Sequence, residues 1–119
     1  MNSKKGVPEY TDGCFQLYRV EQKNDTDFPE EELVDQKMTI WYREISVFDH
    51  LQYDFHQGGK EVTAKIRIPV YKNLDSHCYC KIGTEFHQVF NATHVLSQEG
   101  FQETEITLVK PENNLEVAS

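Results

Sequence analysis

From Glu61 to Tyr71 the chain alternates, with Val62, Ala64, Ile66, Ile68 and Val70 on one side of an extended backbone and Thr63, Lys65, Arg67 and Tyr71 on the other. A side-chain period of two predicts a half-buried strand, and the β-branched residues suit its pleated surface. Pro69 has no amide hydrogen to give, which puts that end near a sheet edge or at the last paired residues. Two earlier segments repeat the pattern. Gly13 to Gln22 sets Phe15 and Leu17 against Tyr18 and Val20, and Met38 to Ser46 sets Met38, Ile40 and Tyr42 against Trp41, Ile45 and Val47. Large groups on both sides of the latter predict a strand covered on both faces.

Beyond the central strand, Asn73 to Ser76 reads as a turn and His77 to Ile82 as a short strand with Cys78, Cys80 and Ile82 on one face. Gly83-Thr84 turns the chain into a strand from Glu85 to Asn91, with Phe86 and Phe90 facing together, which completes a hairpin. Thr93 to Gln98 is expected to connect, Glu99-Gly100 to turn, and Gln102 to Lys110 to form a last strand with Ile106 and Leu108 inward. Pro111 ends it, and Glu112 to Ser119 is expected to fray. Only Asn24 to Gln36 suggests a helix. Asp27 followed by Glu30 resembles a capping box, and Pro29 fits a short helical turn running through Leu33.

About six strands separated by turns, with at most one short helix, predict a mainly β fold: a small antiparallel β-barrel or sandwich. Between its second and third strands lies Val47 to Lys60, where Phe48, Tyr53 and Phe55 alternate with Asp49, His50, Asp54 and His56 before Gly58-Gly59. Paired glycines favour a hairpin turn, so this stretch is expected as a long loop or β-ribbon. Its aromatic residues either pack back on the body or meet another chain. The expected organisation is a flexible arm over residues 1–12, a barrel domain over 13–111 and a tail over 112–119.

With 119 residues there is room for one core, and an apolar share of 38% makes it a small one, dominated by seven Phe, six Tyr and one Trp. A formal charge of −8 excludes a nucleic-acid groove or an anionic membrane surface as the expected partner, since both reward basic patches. No apolar run is long enough to cross a bilayer, and the first residues lack the apolar segment of a secretory signal. Three cysteines, an odd number, suit a reducing compartment.

Candidate chemistry is sparse. Cys78 and Cys80, with His77 and His87 nearby, invite a zinc site, but two residues apart on a strand they are poorer chelators than a Cys-x-x-Cys turn, and small buried thiols are the simpler reading. Asp25 and Asp27 lack the remaining positions of a calcium loop. The histidines carry no nucleophile or zinc-protease signature, and Glu103 and Glu105 read as the solvated outer face of the last strand. No catalytic residue, cofactor or metal is expected.

The ordered string Tyr18-Arg19-Val20, Asn24-Asp25-Thr26-Asp27-Phe28-Pro29, Trp41-Tyr42-Arg43-Glu44, Gly58-Gly59-Lys60-Glu61-Val62-Thr63 and Phe101 to Val109 resembles the head-tail joining proteins of long-tailed bacteriophages, also called head completion or stopper proteins. It spans the chain from about Asp12 to Pro111. The resemblance implies a non-enzymatic structural protein of the virion, made in the host cytoplasm and assembled as a homo-oligomeric ring beneath the portal and adaptor. The tail completion protein would lie on the far side, and DNA would pass through the channel without sequence-specific binding and without any membrane. Transferred by position, the partner or gate loop comprises Phe48, Asp49, His50, Tyr53, Phe55, His56, Gly58 and Gly59. This stretch departs from the family in having no obvious small-residue lining. Alternatives are another neck ring, adaptor or tail completion protein, and a small intracellular β-barrel that binds a ligand or peptide.

Overall fold

The strands are those whose alternate residues can be buried, and the computed structural model describes them within residues 9–23, 30–45, 56–57, 60–97, 100–111 and 115–118. In chain order they are β1 (Gly13–Gln22), β2 (Glu31–Glu44), β3 (His56–Gln57), β4 (Lys60–Pro69), β5 (Cys78–Ile82), β6 (Glu85–Leu96), β7 (Gln102–Val109) and β8 (Glu116–Val117). Every element among the described residues is a strand, so the fold is mainly β. Six of them close on themselves. The hydrogen-bonded order runs β4, β7, β6, β5, β1, β2 and back to β4, with antiparallel neighbours throughout.

All six contribute to one enclosed core. Phe15 and Leu17 from β1, Tyr42 from β2, Ile66 and Ile68 from β4, Cys78 and Cys80 from β5, Val89 from β6, and Ile106 and Leu108 from β7 pack together. Each fully buried aliphatic side chain contributes about 1.5–3 kcal/mol, which is the principal force closing the ring. On the opposite face of the sheet, Tyr18, Leu33 and Tyr79 form a second cluster with Val20, Phe86 and Leu115. Tyr18 meets Phe86 edge-on, with ring centroids 5.0 Å apart.

Several expectations are corrected. Glu31 to Leu33 is extended and paired with β1, so no helical turn runs through Leu33; its side chain is needed in the outer cluster, and extended pairing delivers it there. Residues 24–29, where that turn would begin, lie outside the described residues. Thr93 to Leu96 continues β6 against β7 and is not a connection, because the irregularity between Val89 and Asn91 lets the strand bend without ending. Trp41 is 56% exposed, so β2 is covered on one face at that point. Val70 is exposed as well, since β4 stops at Pro69, whose last ladder partner is Glu103. The tail does not simply fray: β8 lies parallel to β2, with Glu116 opposite Glu32 and Val117 opposite Leu33.

A bulge shapes β2. Gln16 faces Thr39 and Tyr18 faces Asp35, so Leu17 alone stands against Gln36, Lys37 and Met38. Lys37 takes up a φ of 58°, and its amide donates to Asp35 Oδ1 at 2.7 Å. Extra residues on one strand bend it, which lets β2 curve from the outer cluster at one end to the closing seam at the other.

Candidate functional site

The ring is thinnest where β2 meets β4. Among the described residues that ladder consists of Arg43 opposite Arg67 and Glu44 opposite Ile66, extended by the Ile45 amide donating to the Lys65 carbonyl at 2.9 Å. Two arginines directly opposite each other repel, so the seam needs a counter-charge. β7 supplies it. Arg43 Nε donates to Glu103 Oε2 at 2.9 Å and its Nη2 to Oε1 at 2.8 Å, a bidentate pair. Arg67 Nη1 reaches the same carboxylate at 3.4 Å, and its Nε and Nη2 hold Glu105 Oε1 at 3.0 and 2.9 Å.

Glu103 therefore does not belong to a solvated face; it is 0% exposed. Burial alone would raise its pKa, but the hydrogen bonds from Arg43 and Tyr10 and the charges of Arg43 and Arg67 outweigh burial and hold the carboxyl below its ordinary value. The Tyr10 hydroxyl donates to Glu103 Oε2 at 3.0 Å. Its own pKa is pushed up to about 12, by burial first and then by that bond and the carboxylate's charge. Asp12 fixes the same approach: its amide donates to the Tyr42 carbonyl at 3.0 Å, and its Oδ2 accepts from the Glu44 amide at 2.7 Å. At Tyr10 and Asp12 the expected mobile arm is tied to the seam.

From this seam the chain leaves for the stretch singled out in the sequence. Ile45 is the last described residue of β2's extension, and the chain is described again at β3, where His56 pairs with Glu61 and Gln57 with Lys60. The turn expected at Gly58-Gly59 lies outside the described residues. Of the gate candidates, Phe48, Asp49, His50, Tyr53, Phe55, Gly58 and Gly59 lie outside the described residues, and His56 is described through its backbone.

Cys78 and Cys80 lie in the enclosed core. Cys80 is 0% exposed and its pKa is pushed far up by burial. Burial also raises Cys78, whose Sγ lies 3.3 Å from Arg19 Nη1. His77 turns toward Asp75, with Nδ1 3.6 Å from Oδ1, and His87 Nδ1 lies 2.9 Å from Thr63 Oγ1. Among the described residues no group of three or more His, Cys, Asp and Glu is placed to hold a metal ion.

A hollow of about 440 Å³ opens where the outer cluster meets the ends of β4 and β7. Leu33, Tyr79, Phe86, Pro111 and Leu115 supply its apolar wall, and Glu61, Thr63, Glu85, His87 and Lys110 its polar one. Burial lowers the pKa of His87, against the opposing pull of Glu85. Neither this hollow nor the Arg43–Glu103 cluster carries a signal in any local motif. Their members are far apart in the chain, and strand parity together with strand order is what assembles them. No family model matches the chain, and no curated protein matches it.

Proposed function

We propose that this chain is a structural protein of the phage neck, a head completion protein that joins the DNA-filled head to the tail. On this reading the six-strand ring is a small β-barrel, Val47 to Lys60 is its long loop or ribbon, and copies of the chain form a ring beneath the portal and adaptor. The observation that carries the reading is the seam. The aromatic stretch leaves β2 just past its join with β4 and returns through β3 to the start of β4, ahead of that join, which is braced by the buried Glu103 of a third strand and by the N-terminal arm. A braced root is what a segment needs if it is to meet a partner without unravelling the body beneath it. That all described elements are strands favours this role over the adaptor, for which helices are expected.

Phe48, Asp49, His50, Tyr53, Phe55, His56, Gly58 and Gly59 are on this reading the residues that meet neighbouring copies or close the channel, and the net charge of −8 lets DNA slide past without being held. Two measurements test it. Purified protein should bind a portal–adaptor complex, and failure to bind removes the neck assignment. Deleting residues 49–57 should leave the β fold intact by circular dichroism while filled heads lose their DNA; heads that keep it rule out the gate.

A further inference from the structure

β8 is a poor occupant of a good site. The edge of β2 at Glu32 and Leu33 accepts a parallel strand, Leu33 receives the Ala118 amide at 2.8 Å, and Leu115 packs onto Tyr18, Leu33 and Tyr79. Yet the strand that fills this edge is two residues long, and both are exposed, Val117 at 46%. Its register sets Glu116 beside Glu32, two like charges in the paired position, offset by Lys23 at 3.7 Å from Glu116. Beside Leu115 the hollow of about 440 Å³ remains open. The segment is thus held by backbone bonds, one apolar side chain and one largely exposed ion pair.

We propose that the β2 edge is a strand-acceptor site which, between copies of this chain, takes the C-terminal segment of the neighbouring copy. The segment already fits the site in register, so exchanging it between copies keeps every contact that each subunit makes alone. Charge selects backbone pairing as the link. Copies carrying −8 each repel one another, and strand addition is a short-range, directional contact that does not depend on opposite charges. The tether is short: Pro111 to Leu115 spans at most about 15 Å fully extended, so the exchange joins immediate neighbours. The proposal rests on the ring reading only in requiring that a neighbour exist.

Two full-length chains test it, Glu32→Cys and Glu116→Cys, each also carrying Cys14→Ser, because Cys14 is the half-buried thiol and Cys78 and Cys80 are buried. Glu116 is largely exposed and Glu32 partly so, and both tolerate the change. Paired strands lie about 4.8 Å apart, inside the range a disulfide can bridge. Mixed at high concentration with oxidised glutathione, the two variants should give a covalent dimer well above either variant alone, and adding Leu115→Ala to the Glu116→Cys chain should remove most of it. If the mixture yields no dimer above the single-variant controls while a Glu32→Cys, Glu116→Cys double variant closes within one chain, the segment serves only its own subunit and the proposal is wrong. That result leaves the neck reading standing, since a ring can close through other faces.

Discussion

A carboxylate taken wholly out of water costs several kcal/mol unless its charge is met, and Glu103 is met on both oxygens by Arg43, with Arg67 and Tyr10 completing the shell. Removing it takes the bidentate carboxylate from Arg43 and leaves Arg67, directly opposite, with Glu105 in place of two carboxylates. Glu103→Ala should therefore lower stability by about 3–5 kcal/mol in urea unfolding, and Glu103→Gln by less, since an amide keeps part of the hydrogen bonding. The pH dependence has a definite sign. Because the folded carboxyl titrates below its unfolded value of about 4.3, its contribution is complete above that pH and disappears as pH falls through the lower folded value. The difference between wild type and Glu103→Gln should shrink in acid; a difference constant from pH 6 to pH 2 would mean the charge is not what matters. No neighbour in sequence announces this role: the partners lie at Tyr10, Arg43 and Arg67, and only the closing of the ring brings them to β7.

At the scale of strands, β2 shows what a short pattern can and cannot convey. Met38 to Tyr42 alternates plainly because the even positions face the enclosed core, but Glu31 to Asp35 is acidic around a single large apolar residue, and its pairing depends on Tyr18 and Tyr79 elsewhere. The central strand was legible where the core is, at Ile66 and Ile68, and the hairpin of Cys78 to Ile82 with Glu85 onward was legible because a two-residue turn joins two clear alternations. The bulge at Lys37 was not, since nothing marks a lysine as left-handed. A lysine at φ 58° is strained by about 1–2 kcal/mol, while glycine there loses roughly 0.5–1 kcal/mol in unfolded-state entropy. Lys37→Gly should consequently raise stability by up to about 1 kcal/mol, and Lys37→Val should lower it, in the same unfolding assay. If glycine destabilises by more than about 1 kcal/mol, the exposed lysine is making a contact that outweighs its backbone strain.

For the whole molecule, charge and exposed apolar surface pull in opposite directions. Val70, Leu96 and Phe101 are exposed at neighbouring positions, because Pro69 faces Glu103 and Leu96 faces Gln102 at the same end of the sheet, and Trp41 is exposed on β2. Such residues favour burial against another copy, whereas −8 on each chain opposes approach over a distance set by salt. The screening length is about 30 Å at 0.01 M ionic strength and about 8 Å at 0.15 M. Self-association through apolar surface and strand pairing should therefore strengthen as sodium chloride rises, with the weight-average mass in sedimentation equilibrium increasing between those two conditions. An interface built from ion pairs predicts the reverse. A mass that falls with salt would reassign the contact to charged groups such as Lys65 or Lys81 and remove the physical basis for assembly through the β2 edge and the exposed apolar end.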